Sequence, residues 1–598
     1  MLRKILSFFF ALFMLLPVAH SAEMVNVEYI HNVLRWRWGI ELPYNPELKN
    51  PKVAANMEYL LTVVDIANEY LNGEKTTSYG TGEYATKLAA DTIATNNAID
   101  GLIRGPGFYI TTVPGTAKFD IMINAAGNFA IDWGDGERES IVDKAVGNIT
   151  YSHTFGNPQR ANTIRITGTS TDYAYGVVAL SFPQKTSIAK IYGNLGKIFP
   201  TLPDGTQPRF SSLFNGATNM TGEIPPQLFD GLYGATEEYM FSNVFTNCSK
   251  LTGEIPPDLF AGITGPLAMH AFENTFRNCS GLTGEIPETL FSRIKSEPIE
   301  FMFNQTFFGC SGLTGSIPEN LFAGIAGAPA AAMFFGTFRG CSGIKGAIPE
   351  NLFAGISGAP AGSCFGETFA FTGVLGKIPE NLFAGVRGAP AEQMFSSTFM
   401  GCRGLSGGFP EKLFAGISGA PAKSMFSGTF YQCSGLGGAI PENLFGNISG
   451  APADGMFSYT FCDSGLSSIP AGLFAGISGA PAENMFDGTF NWNLGLKSIP
   501  DGLFAGISGA PAANMFRHTF YYTRITDIPE NLFGNISGAP ADGMFDTAFA
   551  NCSALTGPSA RINGQYLYEI WPDISGDTNT YEGSTGLSDY DQIPDNWK

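Results

Sequence analysis

Charge is scarce in this chain. Only 15% of its 598 residues are Asp, Glu, Lys or Arg, and acidic residues outnumber basic ones by 53 to 34, for a formal net charge of −19. Such a surface repels phosphate backbones and anionic lipid, so neither nucleic acid nor a charged bilayer surface is expected as a main partner. Histidine is rarer still, with His31, His153, His270 and His518 the four that follow residue 22. None stands in His-Glu-x-x-His, beside a Gly-x-Ser-x-Gly elbow, or at ligand spacing from cysteine. No catalytic residue, metal or cofactor is therefore expected, and the chain reads as a non-enzyme. Cysteine comes to nine, an odd number with no close pair. Long apolar runs are missing too. The leading one, Ile5 to Val18, is 14 residues, short of the roughly 20 that span a bilayer. With Arg3 and Lys4 before it and Ala19-His20-Ser21-Ala22 after it, it reads as a secretory signal over residues 1–22. The mature chain is thus expected to be exported, extracellular or on a cell surface, with no transmembrane span.

Glycine and phenylalanine, in contrast, are abundant at 74 and 50 residues. Most of the phenylalanine falls in one sentence repeated from residue 220 to 555. A clean copy runs from Thr337-Phe338-Arg339-Gly340-Cys341 through Ile348-Pro349-Glu350-Asn351-Leu352-Phe353 to Ser357-Gly358-Ala359-Pro360. The Ile-Pro or Phe-Pro step returns at Pro225, Pro256, Pro287 and onward to Pro529, giving about 11 copies of 29–31 residues. A copy of that length cannot bury its apolar face alone, so the copies are expected to stack. The Leu-x-x-x-Ile segment is expected as a short strand ended by Pro. Pro-Glu-Asn-Leu-Phe-Ala-Gly and Met-Phe-x-x-Thr-Phe are expected as short helices. Residues 191–219 read as an N-terminal cap coil and 556–598 as a C-terminal cap, with Trp571 and Trp597 covering exposed core. Cys248, Cys279, Cys310, Cys341, Cys402, Cys433 and Cys552 share one column and read as small buried rungs. Bridges between neighbouring copies remain the alternative in an exported chain.

Before the repeats, residues 23–104 read as a helical module. Asn50-Pro51 supplies a cap and first turn, and Val53, Met57, Leu60, Leu61 and Val64 follow at helical spacing. After Gly105-Pro106-Gly107 come alternating strands carrying Phe119, Ile121 and Ile123, then Phe129, Ile131 and Trp133, then Ile164 and Ile166. Asp132-Trp133-Gly134-Asp135-Gly136 followed by Tyr151-Ser152-His153-Thr154-Phe155 resembles the signature of PKD domains, over roughly residues 117–183. That resemblance implies an immunoglobulin-like β-sandwich in which His153 is a framework residue. Asp132 and Asp135 are too few carboxylates for a calcium site.

The repeat also resembles the leucine-rich repeat superfamily. Phe307, Cys310, Leu313, Ile317 and Pro318 are similar to BspA-like repeats of bacterial surface proteins, and Leu251-Thr252-Gly253-Glu254-Ile255-Pro256 to the plant-type step. The expected fold class is α/β: a leucine-rich-repeat solenoid of parallel short strands plus short helices, preceded by the helical module and the PKD-like β-sandwich. The expected function is adhesion or protein–protein interaction at a surface, with a protein or glycan of a host or bacterial surface as partner. A carbohydrate-binding or degradative accessory role and a passive spacer are the alternatives. Positions free of packing duty would carry the binding, and between the last Phe and the Cys column these are Phe308, Arg339, Met400, Tyr431, Trp492, Tyr521 and Tyr522.

Overall fold

In the computed structural model the described residues are 107–572, 574 and 578–598. The expected signal and helical module lie outside them. Residues Gly107–Lys598 form one compact unit.

The unit opens with eight strands: β1 (Phe108–Thr112), β2 (Lys118–Ile123), β3 (Ala126–Asp132), β4 (Arg138–Lys144), β5 (Ile149–Thr154), β6 (Thr163–Asp172), β7 (Leu180–Ser181) and β8 (Ile188–Gly193). They form a five-stranded sheet, β4-β3-β6-β1-β8, and a three-stranded sheet, β5-β2-β7, with every pairing antiparallel. Period-2 alternation turns Phe119, Ile121, Phe129, Ile131, Ile164 and Ile166 into a shared core. His153 on β5 stacks on Trp133 at 5.0 Å. Its Nε2 donates to Asp135 Oδ2 at 2.7 Å, tying the β3–β4 turn to the other sheet. Burial pushes the Asp135 carboxyl up, but the bonds from His153 and the Glu137 amide outweigh it and hold it below its usual value.

The α/β leucine-rich-repeat expectation is overturned. The strands of any length are the antiparallel ones, and the described residues contain almost no helix: two four-residue α-helices, Thr289–Ser292 and Leu567–Ile570, and three three-residue 3-10 turns. Between Met220 and Leu555 the chain is a stack of coils made of turns. Neighbouring coils meet through single parallel bridges, such as Gly327 with Ile356 and Gly376 with Leu405, and through two short parallel pairs, Gly437–Ala439 with Gly465–Ser468 and Ser508–Gly509 with Asn535–Ile536.

The segments read as helices fail for a backbone reason. In Met-Phe-x-x-Thr-Phe, every fourth residue sits in the left-handed region: Tyr239, Asn243 and Asn247 in one coil, His270, Asn274 and Asn278 in the next. A right-handed helix has no place for such a residue. Instead the amides alternate. Phe303, Gln305 and Phe307 donate to Met333, Phe335 and Thr337 of the following coil. Asn304, Thr306 and Phe308 close turns on Phe301, Phe303 and Gln305 of their own coil. Gly324, Gly355 and Gly385 occupy the Ala-Gly-Ile or Ala-Gly-Val step because a Cβ there would collide with the carbonyl of Ile294, Ile325 and Ile356 in the coil before.

Three phenylalanines per coil fill the interior. Phe322, Phe334 and Phe338 each stack on the ring one coil back at 6.4, 5.9 and 5.7 Å, and each buried ring contributes about 2 kcal/mol or more. Between the rings run polar rungs. The Thr337 hydroxyl donates to the Phe303 carbonyl at 3.0 Å, and the Cys341 thiol to the Phe307 carbonyl at 3.1 Å. Where cysteine is replaced, Asn493 makes the same bond to Phe461 at 2.7 Å. The column therefore selects a small buried donor. At one end Phe214 stacks on Phe182 of the sheets; at the other Trp571 and Trp597 lie against Phe545 and are fully covered. No helix among the described residues is long and apolar enough to cross a membrane.

Two outcomes follow from this packing. Gly355→Ala is expected to lower stability by roughly 1–3 kcal/mol, read as a lower denaturant midpoint, while Ala354→Ser on the exposed flank leaves it unchanged. All nine cysteines are free and buried. Burial pushes their thiols up, to about 12 for Cys310 and about 11 for Cys402. The folded thiols therefore keep their protons at pH values where unfolded ones, near pH 8.5, have lost theirs. Stability from this source is whole below that pH and falls as pH rises toward the folded values. A disulfide-exchange reagent is expected to label essentially none of the native thiols and all nine after denaturation.

Candidate functional site: the turn face

The four-residue turns generate an outer face of aligned columns. Left-handed residues set its columns at four-residue spacing, and the ladder of alternate amides sets its rows. Side chains that follow an inward Phe emerge here, so residues of one column stand above one another on successive coils.

The seven residues predicted from sequence fall on this face as two clusters with one residue between them. Phe308 and Arg339 belong to the first. Arg277 lies 4.5 Å over the Phe308 ring and Arg339 5.4 Å over the same ring. Arg339 also lies 5.7 Å over Phe371 and forms an ion pair with Glu367. This is an alternating cation–aromatic column. Met400 stands in the coils between, half-buried, and joins neither cluster by a ring contact; its carbonyl accepts from the Phe371 amide at 2.6 Å.

The second cluster holds Tyr431, Trp492, Tyr521 and Tyr522. Trp492 and Tyr522 stack at 4.4 Å, and Tyr521 lies 6.5 Å from Trp492. Tyr431 contacts Tyr459 at 6.1 Å. Beside the rings lies a polar group that the sequence did not single out. The Asp487 side chain, 4% exposed, accepts from Arg517 Nη2 at 2.9 Å, from Arg517 Nε at 3.3 Å and from His518 Nδ1 at 3.3 Å. Arg517 is held protonated first by its bond to Asp487. Burial, then the Asp487 charge, pushes the Tyr459 phenol up to about 12. Burial likewise raises Asp546, whose carboxyl feels His518 and Arg517.

A further stack escaped the sequence reading, with His270 4.2 Å from Tyr239 and 4.6 Å from Phe301, and Arg209 over Tyr239 at 5.3 Å. Tyr239, His270 and Phe301 lie eight positions before the Cys-flanking column, and only the four-residue turn period brings both columns to one face. Asn and Gly recurring at four-residue spacing were the signal that could have shown it.

Among the described residues no three His, Cys, Asp or Glu side chains gather as metal ligands. No protein family, curated protein or solved structure matches this chain.

Arg517→Ala removes the bidentate partner of a buried carboxylate. Because Arg517 is itself a third exposed, the expected loss is moderate, about 2 kcal/mol, read from a denaturation midpoint.

Proposed function

We propose that this chain is an exported, non-catalytic binding protein that acts in adhesion or protein interaction at a surface through its turn face. One observation carries the reading. Between residues 220 and 555, large apolar side chains of the coils are exposed at three places, Tyr233, Phe371 with Leu375, and Trp492 with Leu494 and Tyr522. Phe371, Trp492 and Tyr522 occupy a single column of the turn face. In a stack whose interior phenylalanines are buried in three columns, the three exposed rings that share one outer column mark contact residues. The ladder beneath holds them rigid, which lowers the entropy lost when a partner docks. The acidic charge and the N-terminal apolar run with its basic start support export over a nucleic-acid role.

The full chain and a Phe371→Ala/Trp492→Ala/Tyr522→Ala variant, compared for binding to host and bacterial cells, test the reading. Retained circular dichroism with a loss of binding of about tenfold or more is expected from removing such anchors. Equal binding by both proteins would leave the repeats as a spacer.

A further inference from the structure

The second cluster has a composition that narrows its ligand, given the binding reading above. Trp492 and Tyr522 form an exposed aromatic step, 46% and 38% accessible, across two successive coils. Around this step the polar groups are of every kind. Asp487 is an anionic acceptor, Arg517 and His518 are donors, and Tyr459 and Tyr521 are phenols. One residue before Trp492, Asn491 is 8% exposed, and its side-chain carbonyl oxygen has no hydrogen-bond donor among the described residues. A buried acceptor without a donor is costly, and a ligand hydroxyl is one group that would relieve it.

The patch is also small. In the column of Trp492 and Tyr522, the flanking coils present Asp463 and Asn551, so the aromatic step ends on both sides. A stable protein interface takes about 800 Å² from each partner, and three exposed apolar side chains do not approach that. A ligand that matches has a flat face of C–H bonds for the rings and a rim of hydroxyls that both donate and accept. That is a pyranose sugar. We infer that the Trp492–Tyr522 step, with Asp487, Arg517, His518 and Asn491 at its side, is a binding site for a neutral oligosaccharide, one sugar ring stacking on the exposed aromatic surface.

The site is already partly organised. Asp487 is held by Arg517 and His518 of the next coil, so its carboxylate is fixed before a ligand arrives. Aromatic rings have few rotatable bonds, and polar groups set in place around them supply specificity.

Cellohexaose, xylohexaose, mannohexaose and chitohexaose, titrated into the full chain by calorimetry and by tryptophan fluorescence, provide the test. At least one is expected to bind, with Trp492 shielded from iodide quenching in the complex. Trp492→Ala and Tyr522→Ala are each expected to weaken that binding about tenfold or more, with unchanged circular dichroism because both side chains are exposed. Phe371→Ala, at the distant cluster, is expected to leave it unaltered. Failure of all four sugars at millimolar concentration, or equal affinity in Trp492→Ala, overturns the sugar assignment. If the sugars fail while cell binding still depends on Trp492 and Tyr522, the patch serves a protein and the broader reading stands. If cell binding is indifferent to them as well, both readings fall.

Discussion

The coil-to-coil amide ladder is the interaction on which this structure depends. Every second amide of the Met-Phe-x-x-Thr-Phe segment donates to the coil that follows, and the intervening amides close turns within their own coil. That division satisfies the backbone without helix and with little regular strand, which matters because the interior is mostly apolar and offers few partners for a stray amide. It also sets the spacing at which the rings stack. Phe303, Phe334 and Phe365 lie 5.9 and 5.7 Å apart and nearly parallel because their backbones are tied at a common repeat.

The buried polar rungs follow from the same ladder. An inward carbonyl such as that of Phe303 or Phe307 faces the core, and a hydroxyl or thiol one coil on donates to it. Threonine, cysteine and asparagine interchange in the cysteine column because each supplies a small donor there; the chemistry of sulfur is not being used. The free, high-pKa state of all nine thiols belongs to this role.

The outer surface inherits its order from the interior. Once the turns repeat every four residues, columns eight and four positions ahead of the cysteine flank reach the same face as the flank itself. Tyr239, His270 and Phe301 stack in one such column, and Asp487, Arg517 and His518 meet beside Trp492 across another. A chain with little charge thus concentrates a carboxylate, a guanidinium and an imidazole next to a pair of exposed rings.

Much of this was legible without coordinates. The period, the Phe-rich core, the inward Ile and Phe of the sheets and the packing role of the cysteine column can all be read from residue spacing, because burial follows periodicity. Fold class could not be read the same way. Pro-Glu-Asn-Leu-Phe and Met-Phe-x-x-Thr-Phe carry helix-like spacing, but the left-handed residues at every fourth position and the close approach at Gly355 are conditions set by the neighbouring coil. Local sequence therefore specified which side chains face inward, and contact between coils decided what the backbone does to bring them there. The same holds for the candidate site. Trp492, Tyr521 and Tyr522 stand out in the sequence as variable aromatics, whereas Asp487, about 30 residues from its partners Arg517 and His518, acquires them only when coil is laid on coil.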